Sequence, residues 1–313
     1  MKRKIFVPYI KLIIAILFAA PATAQTAHQL KTIILDPGHG YPTLNAHGRY
    51  SYESDVTVAI GLKLKKKIED SLPGVKVLMT RSGRNDAGGY TNPNEANHYR
   101  AQFANENHGD LYISIHCNDA GSNVIHHSEI IGHHTKVWYT GKGKKRRKHT
   151  RRENEYRTWT TPNPVRGTET LLWKVGKNDV KQQFIQGSQD TADLFAEKDS
   201  SNNMTVEQKI MASLRMQKYF NRSKFLADLI QQNYKDQGRI IHDDAGNGVK
   251  QRTEGIWVLQ ATAMPSVLTE VGFISNPEDE DYMNSQAGQD QIASAIFNAI
   301  VAYKTQVDTG RVR

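Results

Sequence analysis

Four segments of this chain carry side chains able to bind a metal and move a proton. They are Ile33-Ile34-Leu35-Asp36-Pro37-Gly38-His39-Gly40, then Glu53, then Ile113-Ser114-Ile115-His116-Cys117-Asn118, then Leu268-Thr269-Glu270-Val271-Gly272. An apolar strand that ends at a turn holds a side chain rigidly at the rim of a sheet. Two imidazoles and one carboxylate held that way suit zinc and leave a fourth position open for water. A further glutamate nearby would supply a general base. The combination outlines a metallohydrolase.

Each residue has a plainer reading beside the chemical one. His39 sits between two glycines after a proline, where the backbone can turn sharply and expose the ring; alone, it is a turn histidine. Glu53 stands where a helix opens, and carboxylates are common there because they oppose the N-terminal dipole. Asp55 and Glu69 are its nearby alternatives. Along the strand before His116, Ile113, Ile115 and Cys117 share one face while Ser114 and His116 share the other. Cys117, the one cysteine in the chain, therefore reads as a small buried hydrophobe, not a ligand. It also rules out an intramolecular disulfide. Asn118 and Asp119 are placed to support His116 from behind. Glu270 lies in a nearly apolar strand, where a carboxylate is costly unless paired or functional. Desolvation would raise its pKa towards neutrality, as a base requires. The bland alternative is an ion pair with Arg81 or Arg100.

The elements that must position these groups follow from pattern. Residues 31–35 read as a buried strand. Residues 55–70 read as an amphipathic helix, with Val56, Ile60, Leu64 and Ile68 on one face. Pro73-Gly74 turns into a strand at Val75–Met79, and a helix at about 94–107 leads to a strand at 111–116. This βαβαβ alternation predicts a mainly parallel twisted sheet flanked by helices. Residues 120–165 show little periodicity and read as an inserted, mobile loop region. A short strand is expected at Thr168–Leu172, then a polar stretch over 173–205 with one short helix. A helix at 206–236 carries Phe225, Leu226, Leu229, Ile230 and Tyr234. Strands near 256–260 and 266–271 and a helix at 286–304 complete a single α/β domain with a long irregular insertion.

Residues 1–24 read as a secretory signal peptide: a basic start, a short apolar run and Ala22-Thr23-Ala24 as cleavage site. Residues 25–313 would then form the exported domain, in the periplasm or envelope of a bacterium. The formal charge of +9 falls to +5 without the leader, at 37 basic against 32 acidic residues. The run Lys142 to Arg152 holds eight Lys/Arg and no acid, so basicity is one local patch.

With these residues in view, the chain resembles the zinc-dependent N-acetylmuramoyl-L-alanine amidases of the amidase-3 type. The matching stretches are Leu35–Gly40, Glu53, Ile113–Asn118 and the long, specific Met264-Pro265-Ser266-Val267-Leu268-Thr269-Glu270-Val271-Gly272-Phe273-Ile274-Ser275-Asn276. Arg166-Gly167-Thr168-Glu169-Thr170 resembles the family's strand after the second histidine. Residues 120–165 and 173–205 have no firm counterpart. The resemblance implies Zn2+ held by His39, Glu53 and His116, with Glu270 as catalytic base. It also implies a substrate, the amide joining N-acetylmuramic acid to L-alanine in peptidoglycan, cut for wall remodelling or turnover.

Three other features stay open. His126-His127-Ser128-Glu129 and His133-His134 suggest a second metal site, but an irregular insert lacks the scaffold for one. Lys142 to Arg152 could attract an anionic envelope polymer or lipid; no nucleic acid is expected, and any activator protein is left unidentified. The insertion emerges next to His116 and could gate the site, through Glu153, Glu155, Glu169, Glu197 or Glu207. A zinc carboxypeptidase acting on the stem peptide, or a wall-binding protein with a degenerate site, are the competing functions.

Overall fold

Runs of Ile, Leu and Val bury both faces of the central strands, as a parallel sheet under helices requires. In the computed structural model, which describes residues 29–43, 45–176, 178–186, 205–242 and 246–312, these runs form one six-stranded sheet. The expected signal peptide and Glu197 lie outside the described residues. The elements are β1 (Thr32–Pro37), α1 (Glu53–Ser71), β2 (Lys76–Met79), α2 (Pro93–Glu106), β3 (Leu111–Asn118), β4 (Val124–Thr140), β5 (Arg147–Pro162) and β6 (Glu169–Leu172). There follow α3 (Asn178–Gln186), α4 (Val206–Asp236), β7 (Val249–Gln251), α5 (Trp257–Ala261), β8 (Ser266–Phe273), α6 (Pro277–Asn284) and α7 (Gln286–Asp308).

The strand order is β2-β1-β3-β8-β6-β7. β2, β1, β3 and β8 run parallel. β6 pairs antiparallel with β8 and parallel with β7, so the last two strands run the other way. The sheet is mainly parallel, as the alternation predicted. On one face, Ile33, Leu35, Ile113, Ile115 and Cys117 pack with residues of α1, α4 and α7. On the other, Ile34, Tyr112 and Leu268 pack with residues of α2, α3, α4 and α5. Cys117 is buried among its apolar neighbours, as strand alternation required. Helix α3, inside the 173–205 stretch, is fastened to this second core by Lys181. Its buried Nζ donates to the carbonyls of Leu259 at 2.8 Å and Met264 at 3.0 Å.

Two expectations are corrected and one element is added. Residues 120–165 are not irregular: β4 and β5 form a long antiparallel hairpin with a bulge at Ile131. Both of its faces are largely exposed, so no apolar-in, polar-out alternation marks it in the sequence. The strand expected near 256–260 is the short helix α5, and the neighbouring strand is β7. A short apolar run does not distinguish strand from helix. Helix α6 was not expected, although Asn276 caps its N-terminus and Pro277 occupies its first turn, the usual opening signal.

Candidate metal and catalytic centre

The site sits at the carboxyl ends of β1, β3 and β8, where parallel sheets commonly place ligands. β1 runs out into Gly38-His39-Gly40, and His39 takes a left-handed backbone conformation, with φ of 55°. Gly38 is required by its neighbour: a Cβ there would lie 2.4 Å from the His116 ring. Two buried arginines hold this turn. Arg100 pairs with Asp36 and Asp86 and donates to the carbonyls of Pro37 and His39, each at 2.8 Å. Arg81 donates to the carbonyls of Pro37, Gly38 and Ser54. Burial opposes ionisation of Asp36, but Arg100 and hydroxyl donors from Thr80, Tyr112 and Ser114 hold its carboxyl well below the usual range. Neither arginine pairs with Glu270; both instead fix the end of β1.

Glu53 is the first residue of α1 and is 1% exposed. Its Oε1 accepts from the Cys117 amide at 3.0 Å, and lies 3.0 Å from His116 Nδ1 and 3.6 Å from His39 Nε2. Its Oε2 accepts from Asn45 Nδ2 at 2.8 Å, and that same nitrogen is 2.9 Å from His39 Nε2. Glu53 and His39 thus share one amide group as hydrogen-bond partner. His39, Glu53 and His116 offer donor atoms all within 4.8 Å of one another, and theirs is the one such group among the described residues. The alternatives are elsewhere: Asp55 is exposed, and Glu69 pairs with Lys65 on the outside of α1.

The electrostatics suit a metal. Burial, with His116 beside it, pushes His39 down to about 4, so its ring is neutral at pH 7. Burial works against the Glu53 carboxylate, yet the His116 hydrogen bond and charge take it down to about 2. His116 is desolvated too, but its bond to Glu53 raises it. A cation bound between them would displace that proton.

Glu270 faces His116 across the β3–β8 register and is 4% exposed. Burial pushes it up to about 7, with Glu53 and Glu169 adding and His116 and Arg252 opposing. Its Oε1 accepts from Arg252 Nη2 at 3.1 Å, while its buried Oε2 has no hydrogen-bond partner. Arg252 is the partner that sequence reasoning missed; it lies in the turn between β7 and α5, elements the sequence did not reveal. His39, Glu53, His116, Glu270, Arg252 and Trp257 all line one cleft of about 630 Å³.

A third carboxylate comes close. Glu169 on β6 stands opposite Glu270, is 2% exposed, and pairs with Lys250. Asn118 donates to Glu169 at 2.8 Å, so it supports Glu169 and not His116. The Asp119 carboxylate turns back to the Gly121 amide. Glu153 and Glu155 lie on the hairpin and Glu207 is exposed at the start of α4. No residue of 120–165 lines the cleft. The His-rich tract is split by the strand: His126 and His133 share one face of the hairpin, His127 and His134 the other. Among the described residues they form no cluster of metal-ligating side chains.

The profile of the amidase-3 family, described as N-acetylmuramoyl-L-alanine amidase, matches residues 33–302. The chain belongs to this family. Among relatives of this amidase-3 chain, N-acetylmuramoyl-L-alanine amidase AmiA of Salmonella typhimurium is 24% identical, over 90% of this chain and 79% of that one. The germination-specific N-acetylmuramoyl-L-alanine amidase of Bacillus subtilis is 23% identical, over 88% and 81%. An uncharacterized cell wall amidase of Bacillus anthracis is 26% identical, and there the match spans only 35% of the relative's length. The CwlD amidase of Clostridioides difficile, solved in complex with the GerS lipoprotein, shares the fold with a TM-score of 0.54 and 22% identity. That alignment covers 88% of this chain and 98% of the other.

Proposed function

We propose that this chain hydrolyses the amide between N-acetylmuramic acid and L-alanine in peptidoglycan, with zinc held by His39, Glu53 and His116. The observation that carries the reading is the placement of Glu270 beside this converging donor set, in a chain of the amidase-3 family. Bound there, zinc would polarise the scissile carbonyl and make a water acidic. The protein's own part is proton handling and orientation. Burial raises Glu270 to about 7 in the metal-free protein, and a cation bound beside it would favour the carboxylate, the form that can take a proton. Arg252 holds Oε1 and leaves Oε2 without a partner, and this carboxylate would take the proton of the attacking water. It then returns that proton to the departing alanine nitrogen.

Export, with residues 25–313 as the mature catalytic domain in the bacterial envelope, belongs to the same proposal. Among the described residues, no helix is long and apolar enough to cross a membrane.

Metal-loaded protein should release stem peptides from purified sacculi with a new L-alanine amino terminus. His39→Ala and His116→Ala should each lose both the metal and this activity; either variant retaining stoichiometric zinc and full turnover would overturn the ligand assignment. One observation favours a second reading. A peptidase acting on the stem peptide needs a cation for a terminal carboxylate, and Arg252 is a half-exposed guanidinium in the cleft. New amino termini within the stem, in place of L-alanine, would select that reading.

A further inference from the structure

The hairpin β4–β5 is divided by charge. Residues opposite one another in an antiparallel pair share a face, and the register places Glu129, Glu153 and Glu155 together on one side. These are the hairpin's only acids. Two of these three acids have partners on the same face. Arg157 pairs with Glu129, while Lys136 and Arg151 reach Glu153. Trp159 and Trp138 are each stacked by a histidine ring, from His127 and His149.

The opposite face contains no acid. It carries Ile130, Val137, Tyr139 and Tyr156, each between 44% and 55% exposed. Lys148 and Arg152 lie among them, next to the basic tip that begins at Lys142. Between the apolar groups stand Thr135, Thr150, Asn154, Thr158 and Thr160. The hairpin's hydrogen bonds and ion pairs, among the described residues, stay within it or at its root. At that root the Asn163 amide reaches the Asn123 carbonyl at 3.0 Å, and Asn276 holds the Asn163 carbonyl at 2.7 Å. A two-stranded ribbon of roughly 50 Å, uncovered on both sides, is marginal in water. Of the two faces, the acid-free one carries the more exposed apolar groups and no carboxylate to repel an anionic partner.

We infer that this face is a docking surface for peptidoglycan itself, holding the polymer while the cleft works on one of its stems. The inference rests on the amidase reading for its substrate, though its test does not. The chemistry selects the partner. Basic residues without acids call for an anionic polymer. Threonines and an asparagine spaced between apolar side chains would be stranded in hydrocarbon, which disfavours a bilayer. A glycan strand offers hydroxyl and amide groups for these, apolar sugar faces for the tyrosines, and stem-peptide carboxylates for Lys148 and Arg152. The hairpin also grows from the end of β3, the strand that carries His116, so polymer held along it stays tethered near the cleft.

The test is co-sedimentation of the full chain with purified sacculi, in a Glu270→Gln background so that none is digested. One variant alters the acid-free face: Tyr139→Ser, Lys148→Gln, Arg152→Gln and Tyr156→Ser. A matched control alters the other: Lys136→Gln, Trp138→Ser, Arg151→Gln and Trp159→Ser. The first should bind about tenfold more weakly and the second should stay within about twofold of the parent, given typical aromatic and ion-pair contributions. Equal losses, or none in the first variant, would overturn the assignment. So would binding of the parent to phosphatidylglycerol vesicles or duplex DNA as tight as to sacculi, which would give the face to lipid or nucleic acid. Hydrogen exchange on the unaltered chain guards against a misfolded variant. Amides of β4 and β5 should slow when solubilised glycan strands bearing stem peptides are added, and unchanged rates would also count against docking. Binding is read without turnover, so failure of the wild-type chain to release L-alanine stems would refute the amidase reading separately.

Discussion

Glu53 and Glu270 are both buried beside His116, yet one is pushed down to about 2 and the other up to about 7. Burial raises both. Glu53 overcomes it with the His116 hydrogen bond and the Cys117 amide, whereas Glu270 has one half-exposed arginine. The stability consequences have opposite sign. For Glu270 the folded pKa is raised above the ordinary 4.5, so its contribution is complete below pH 4.5 and is lost as pH climbs through 7. In metal-free protein, Glu270→Gln should therefore be more stable than wild type at pH 8, by about 1–3 kcal/mol, and nearly equal at pH 4. Urea unfolding at the two pH values checks this, and a variant less stable at pH 8 would contradict it. For Glu53 the folded pKa is depressed, so its contribution is present above 4.5 and fades as pH falls towards 2. The Glu270→Gln variant should keep its metal but lose turnover; loss of metal would make Glu270 a ligand. Arg100→Met should cost about 3–5 kcal/mol, because it strands the buried Asp36 and Asp86 carboxylates. His39, Glu53, His116 and Glu270 could be proposed from sequence because His39 follows, Glu53 opens, and His116 and Glu270 lie within elements marked by apolar runs. Arg100 and Arg252 were not, because each finds its partners across the fold.

The strands and helices that carry the site were legible for a simple reason. β1, β3 and β8 are apolar runs, and α1 and α7 bury one stripe each, so burial wrote their periodicity into the sequence. The hairpin escaped because it buries neither face. Its geometry also changes what it is expected to do. It is joined to the domain by a narrow root, and none of its residues lines the cleft. A lid must cover the site it gates, and this element does not. Joining Asn123 directly to Asn163, already hydrogen-bonded neighbours, should give a folded, metal-binding protein. Its melting temperature should lie within about 3 °C of the parent, since no packed core is removed. Its rate on a small soluble muropeptide should be unchanged. Faster turnover by the deletion variant would restore the gating role and displace the spacer or docking role argued from the hairpin's faces.

Charge is segregated across the whole molecule. The formal charge of the chain is +9, and residues 124–162 alone contribute +7, from ten basic and three acidic residues. Without that segment and the expected leader, the remaining body is slightly acidic. Any long-range attraction to an anionic matrix should therefore act mainly through the hairpin, while Glu53 and Glu270 in the cleft are buried. Exposed charges are screened beyond a distance of about 10 Å at 0.1 M salt and about 3 Å at 1 M, and buried pairs far less. Two salt dependences should follow from one protein. Sacculus binding should weaken steeply as salt rises from about 0.05 M to about 0.5 M, over which the screening length falls roughly threefold. Turnover of a soluble muropeptide should change by less than about twofold over the same range, because the groups that act on it are buried. The Asn123–Asn163 deletion should flatten the first dependence and leave the second alone. If the deletion variant kept the parent's salt slope for sacculi, the hairpin would not be the charged contact. Attraction would then have to come from cations of the body, although some of these, Arg49 and Lys63 among them, already pair with carboxylates.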